Sequence, residues 1–230
     1  MHVGLKELKQ ISGKSYKDIT YEIIKSLENA FEPSAIVVPT FTWSFIKTGI
    51  FSINNSRSET GAFADLFREF ANYRTSNTIQ SFSIKANDYE IYKNLNHQDT
   101  FAQDGIYEYF RQNDTYIIDI NTDTFRASPL HHVEIVCKLP YLAKDKVNFK
   151  GITYDENDKP QEVVQSHGGT FIYSDPYVFN KEKIRKYLMN KGMIKKYEYK
   201  DINISSLSNQ DMHNTLEELL NKKPYFAITI

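Results

Sequence analysis

The chain of 230 residues is poor in cysteine, glycine and tryptophan and has no excess of either charge. Cys137 alone cannot form an internal disulfide, so no disulfide framework holds the fold, and a reducing cytoplasm is the expected compartment. Twenty-eight Lys and Arg against twenty-nine Asp and Glu give a net charge of −1, which excludes nucleic acid as the main partner: neutralising many phosphates needs a basic footprint. Eighteen apolar residues never occur in succession, and charges interrupt the opening Met1 to Gln10 stretch. Neither membrane insertion nor a secretory signal is therefore expected. Repeats, low-complexity tracts and Pro/Ser-rich linkers are missing too. The expectation is one unit over 1–230, with a lobe at 1–145 carrying the core and active site and a hairpin-and-helix portion at 146–230.

Several catalytic signatures are also missing. G-x-G-x-x-G, H-E-x-x-H, G-x-S-x-G and paired C-x-x-C patterns do not occur, which removes the usual support for dinucleotide oxidoreductases, zincins and α/β-hydrolases. Ser12-Gly13-Lys14-Ser15 imitates the end of a phosphate-binding loop, but that loop needs a second glycine where Leu8 stands.

What is present is an ordinary globular composition, 40% hydrophobic and 25% charged, with sixteen Tyr and fifteen Phe that are first of all core material. At this length folding buries roughly 70 to 75% of the unfolded surface, enough for a large core without staples. Apolar residues at helical spacing (Ile19, Ile23, Ile24, Leu27, Phe31) predict a helix over Ser15 to Phe31, capped by Ser15. The β-branched run Ser34 to Pro39 predicts a buried strand, with Thr40 and Thr42 just past its carboxyl end, where open α/β sheets hold ligands. Helical spacing returns over Glu59 to Tyr73, and the Thr60-Gly61-Ala62 corner at its start would point free amides outward. Further predicted elements are a helix at Gly105 to Gln112, a strand at Thr115 to Ile120, a helix or turn over Pro129 to Leu139, and a hairpin of Asn148 to Tyr154 with Glu162 to His167. The tail alternates: helix Asn180 to Asn190, strands Met193 to Tyr199 and Ile202 to Ser206, helix Ser208 to Asn221 and a last strand Tyr225 to Ile230. Fold class is mixed α+β.

The richest chemical cluster is Leu130-His131-His132-Val133-Glu134. An imidazole and a carboxylate three positions apart share one face of a helix, so Glu134 can hold one ring nitrogen of His131 and leave the other to take a proton. A solvated surface pair is the alternative at this level, and no further His or Cys sits at metal-ligand spacing. Cys137 lies off that face in an apolar run and reads as core filler. His2, His97, His167 and His213 read as surface residues, with His167 of the Ser-His-Gly-Gly turn the exception to watch.

The order of five segments then carries a resemblance. Val37-Val-Pro-Thr-Phe-Thr-Trp-Ser-Phe45, Ser56 to Asp65 with Phe67-Arg68, Arg74-Thr75 with Ser81-Phe82, His131-His-Val-Glu134 and Leu139-Pro-Tyr141 together resemble the aminoglycoside 3-N-acetyltransferase family, closest to its branch that acylates amino sugars of bacterial surface glycans. The resemblance implies a mixed α/β fold with a central sheet, an acyl-CoA arm in a cleft and no metal. It places H-x-x-E on His131 and Glu134 as the catalytic pair. Ser58, Thr60, Gly61, Ser81 and Phe82 fall where the family lines the CoA arm and thioester, and Thr40, Thr42 and His132 are the expected substrate contacts. Three departures stand out: Met1-His2-Val3-Gly4-Leu5 stands at the segment before which the family usually has more residues, with Gly4 in place of a hydroxyl residue; the Arg74 to Ser81 stretch has Thr78 in place of a proline and Gln80 where antibiotic-modifying members often have His; and Asp119-Ile-Asn121 stands where a glycine commonly follows the strand. These count against an antibiotic-resistance role, and the balanced charge with the aromatic, hydroxyl-rich motifs favours a nucleotide-linked deoxyamino sugar as acceptor. An aminoglycoside acceptor and a non-catalytic CoA- or sugar-nucleotide-binding relative are the alternatives.

Overall fold

The computed structural model describes residues 1–122, 128–143, 145–168, 177–199 and 201–229. Among them the chain runs β1 (His2–Val3), α1 (Leu5–Ser12), α2 (Tyr16–Phe31), β2 (Ala35–Pro39), α3 (Phe45–Thr48), β3 (Ile50–Ser52), α4 (Ala62–Phe67), β4 (Tyr73–Arg74), β5 (Phe82–Ala86), α5 (Glu90–Lys93) and α6 (Ile106–Gln112). It continues with β6 (Tyr116–Ile120), α7 (Pro129–Val136), β7 (Val147–Tyr154), β8 (Pro160–His167), β9 (Val178–Phe179), α8 (Lys181–Asn190), β10 (Lys195–Tyr199), β11 (Ile202–Ser208), α9 (Asn209–Lys222) and β12 (Ile228–Thr229).

The strands divide among small sheets. One has the order β1-β6-β11-β10, with β1 parallel to β6 and the other pairs antiparallel; a second is β2-β5-β4, a third β3-β7-β8, and β9 pairs with β12. Mixed α+β is thus the class, but the expected central sheet is split. The reason lies in the pairing partners. β11 joins β6 and β7 joins β3, so the chain after residue 146 supplies strands to sheets begun in the first half.

Local chemistry explains the long elements. The Ser15 hydroxyl accepts from the Asp18 amide at 3.1 Å and starts α2, and Ser208 does the same for α9 through Asp211. Pro129 sits in the first turn of α7, where its missing N–H removes nothing the helix uses. The helix expected over Glu59 to Tyr73 is only Ala62–Phe67. Its apolar spacing is real, with Phe63 and Phe67 buried, but Gly61 at φ 125° delays the start, and the chain past Phe70 must turn so that Tyr73 and Arg74 pair with β5. The expected last strand likewise shrinks to two residues paired with β9, and Ile230 lies outside the described residues.

The helix that matters most is α7. Its Leu130 and Val133 enter a core shared with α8 and α9, through Leu188, Met212 and Leu216. A second core, of Phe82, Phe101, Tyr107 and Phe110, packs behind it, and partly buried Ile135 of α7 lies against that one. Fixed between two cores, α7 has little freedom to rotate.

Candidate active site

His131 and Glu134 meet as the spacing predicts. His131 Nδ1 lies 2.7 Å from Glu134 Oε2, and the hydroxyl of Tyr141 donates to Glu134 Oε1, also at 2.7 Å. The carboxylate accepts, so Nδ1 carries the hydrogen and Nε2 holds the ring's lone pair. Burial separates the two partners: the Glu134 side chain is fully buried while that of His131 is 29% exposed. A buried carboxylate needs its hydrogen bonds, and one imidazole and one phenol supply them. The His131 ring also packs on Phe179, with centroids 4.8 Å apart.

A second imidazole comes up from β8. His167 is 2% exposed, which corrects its reading as a surface residue; buried His97 and His213 correct theirs in the same way. His167 Nδ1 lies 3.0 Å from the Gly168 carbonyl, and its Nε2 lies 3.1 Å from the Gln80 amide nitrogen. Gln80 is held in turn by the Tyr107 hydroxyl, which donates to its Oε1 at 2.5 Å. Burial pushes His167 down to about 4, and the nearby charge of His131 works in the same direction. The close approach depends on Gly168: a Cβ there would sit 2.6 Å from Ile135 Cδ1, one helical turn after His131. The sequence reading missed Gln80 as a site residue, although its place in the altered Arg74 to Ser81 stretch marked it.

His132 goes elsewhere. Expected as a substrate contact, it is 2% exposed and stacks on Phe101 and Tyr107 at 6.3 and 6.2 Å, with Nε2 3.5 Å from Glu108 Oε2. It has no surface to offer a ligand. Burial pushes it down to about 4, and its neighbour His213, 5.3 Å away between ring centroids, down to about 3.

Thr40, Thr42 and Ser81 are also brought together, but inside the protein. The Ser81 hydroxyl donates to the Thr40 carbonyl at 2.7 Å and accepts from Arg74 Nε at 3.1 Å, and Arg74 donates further to the Thr40 carbonyl and the Thr42 hydroxyl. All four side chains are buried, so a ligand could reach Thr40, Thr42 or Ser81 only by dismantling this network. Burial holds the Arg74 guanidinium down to about 9. Phe82, expected beside the CoA arm, is a core ring against Phe41, Tyr107 and Phe110. The physical reason is shared: β5 runs through the interior, and its residues spend their polar atoms on β2 and Arg74.

Ser58, Thr60 and Gly61 form a separate, accessible corner. The Ser58 and Thr60 hydroxyls bond each other at 2.8 Å, and Thr60 donates to the Pro39 carbonyl at 2.6 Å, which ties the corner to the end of β2. Gly61 is exposed and nothing lies within 4 Å of where a Cβ would stand. A cleft of about 820 Å³ lies elsewhere, walled by α8, β11 and α9 residues such as Tyr187, Ser206 and Asp211, and holds none of the expected catalytic, cofactor or substrate residues. Among the described residues no three His, Cys, Asp or Glu side chains converge as metal ligands, and no helix is long and apolar enough to cross a membrane.

A partly exposed imidazole held by a buried carboxylate, on a mixed α+β frame, is an arrangement that can take a proton from a nucleophile. The chain belongs to the aminoglycoside 3-N-acetyltransferase family, whose model matches residues 1–221, and its reaction class is acyl transfer to an amine. Solved structures share the fold. YokD from Bacillus subtilis has 13% identity and a TM-score of 0.69, covering 89% of this chain and 81% of that one. AAC-IIIb with CoASH has 12% identity and a TM-score of 0.73, covering 89% and 84%. AAC-VIa bound to sisomicin has 14% identity and a TM-score of 0.74, covering 96% and 90%. Comparison with curated proteins finds no match.

Proposed function

We propose that this protein transfers the acyl group of an acyl-CoA to an amino group of an amino sugar, with His131 as general base and Glu134 as the carboxylate that orients it. The observation that carries this is the 2.7 Å contact between His131 Nδ1 and a fully buried Glu134 that Tyr141 also holds. An amine attacks a thioester only through its lone pair. As the nitrogen adds to the carbonyl carbon, its proton passes to His131 Nε2; the C–S bond then breaks and the departing thiolate takes the proton as CoA thiol. Such proton transfer is worth about 10² to 10⁴ in rate.

The amides of exposed Gly61 and Ala62 are the proposed donors to the thioester oxyanion, the Thr60 amide being engaged with the Ser58 hydroxyl, each worth about 3 to 4 kcal/mol where such donors have been removed in other enzymes. Ser58 and Thr60 hold that corner's shape. Ser81 drops out of this role because its hydroxyl is already used inside. Cys137 forms no acyl-enzyme: it is half-buried at the end of α7, and burial pushes its thiol up to about 11.

For the acceptor we take an aminoglycoside. The family description names that substrate class, and a neighbour of the same fold is bound to sisomicin. A nucleotide-linked amino sugar is the second reading, favoured by one observation. The carboxylate beside His131, Glu134, is already engaged with His131 and Tyr141, and Asp99, whose charge is felt at His167, is paired with Lys146, which leaves little for a polycation to pair with. Release of CoA thiol from acetyl-CoA decides between them, with sisomicin and kanamycin in one arm and dTDP- or UDP-linked amino sugars in the other. Turnover with the antibiotics alone establishes the first reading and turnover with the nucleotide sugars alone the second. Full turnover by a folded His131→Ala protein would falsify the assigned base.

A further inference from the structure

β10 closes one side of the β1-β6-β11-β10 sheet, and among the described residues no strand pairs with its outer edge. All five of its residues are exposed, Tyr197 at 61%. Which of their backbone groups face outward follows from the neighbouring strand. The Asn203 carbonyl accepts from the Asn121 amide at 2.8 Å, and the Asn203 amide donates to Asn121 Oδ1 at 2.7 Å, so Asn203 of β11 turns its backbone toward the β6 side. That direction alternates along a strand. Ile202, Ile204 and Ser206 therefore turn toward β10 and bond their register partners Tyr199, Tyr197 and Lys195. Lys196 and Glu198 are left with their N–H and C=O groups pointing out of the sheet.

Such an edge accepts a further strand, and only residues that both point outward can exchange hydrogen bonds across it. For a second copy running antiparallel about a two-fold axis, centring on Lys196 or on Glu198 sets a like charge against itself. Centring on Tyr197 sets Lys196 opposite Glu198 of the second copy, and Glu198 opposite its Lys196, with both pairs in the hydrogen-bonded position. Neither side chain has an ion pair within the described chain. Lys195 then faces the Tyr199 ring of the other copy, an ammonium beside a phenol. Charges on an edge strand ordinarily repel another strand; in this one register the Lys-Lys-Tyr-Glu-Tyr run complements itself. We propose that two copies of this chain pair through β10, antiparallel about Tyr197, and join their four-stranded sheets into one. Five residues a side make a short interface, so the dimer is weak and concentration-dependent.

Sedimentation velocity of the full chain, at rising concentration up to the solubility limit, reads the equilibrium. The wild type should pass from monomer to dimer. Glu198→Lys alone, or Lys196→Glu alone, sets like charges opposite each other at both cross-strand sites and should raise the dimer Kd about tenfold or more. The double variant Lys196→Glu/Glu198→Lys exchanges the charges and should restore the wild-type Kd to within about threefold. The register is read by crosslinking in a glutathione redox buffer. Tyr197→Cys should form an intermolecular disulfide, because residues facing each other in the non-hydrogen-bonded position have Cα atoms about 4.5 Å apart, whereas Lys196→Cys, offset from its own copy, should not. The wild-type chain, whose Cys137 is half-buried, is the control.

A wild-type monomer at every concentration overturns the proposal and leaves the edge to another protein or to solvent. So does a dimer that Glu198→Lys leaves intact, a double variant that stays monomeric, or a Lys196→Cys crosslink as efficient as that of Tyr197→Cys. Every substituted side chain is exposed, and far-ultraviolet circular dichroism checks that each variant folds. Should one misfold, wild-type sedimentation and the Tyr197→Cys crosslink still decide.

Discussion

His131 and His132 are neighbours in the chain, yet one step of about 100° around α7 sends them into opposite surroundings. His131 keeps part of its ring in the open and has a buried carboxylate 2.7 Å away; His132 is sealed between Phe101 and Tyr107, and the nearest carboxylate, Glu108, is 3.5 Å off. His132 Nδ1 and both ring nitrogens of His213 find no hydrogen-bond partner among the described residues. A titratable ring does chemistry when the protein pairs it and leaves a path to it; buried without partners, the same ring is packing that resists charge.

The largest effect should come from exchanging these roles. His131→Ala is expected to lower kcat by about 10³, whereas His132→Phe, which refills the same stack, should leave kcat within about twofold. Steady-state assays on both variants settle this, and a large kcat loss in His132→Phe would erase the contrast. Acid sensitivity comes next. His132 is depressed from 6.5 in the unfolded chain to about 4 when folded, so as pH falls through that window the unfolded state binds the proton first. Stability is therefore full above pH 6.5 and should fall by roughly 3 kcal/mol by pH 4 from this ring alone, with His213 extending the loss toward 3. Urea midpoints at pH 7.5 and 4.5 measure it.

Smaller effects sharpen the picture. Tyr141→Phe removes one of the hydrogen bonds that hold Glu134, and kcat should drop about tenfold with little change in KM, since only the orientation of the pair is loosened. His213→Leu removes two unpartnered ring nitrogens; at neutral pH it should raise stability by about 1 kcal/mol, and it should flatten the acid loss just described. Thermal melts of that variant showing a steeper acid loss would mean that His213 does not titrate as its burial implies.

Much of this was legible before any coordinates. The cap at Ser15, the helix beginning at Ser208, the β7–β8 hairpin and the H-x-x-E spacing are local features, and local hydrogen bonds and periodicity settled them. The Glu59 to Tyr73 helix was overextended because apolar spacing continues past the point where pairing with β5 takes over. No pattern in Phe82–Ala86 announced that β5 would run through the interior, and for that reason Ser81 and Phe82 read as ligand contacts when they are core.

The sequence by itself determined the class of the protein and the meeting of His131 with Glu134, because an imidazole and a carboxylate three residues apart must share a face once Pro129 starts a helix. Only the tertiary structure decided which of the two adjacent histidines keeps part of its ring open, and that Gln80 is bonded to His167. Those facts depend on which face of α7 meets the aromatic core and on where β8 ends, and burial and long-range pairing set both.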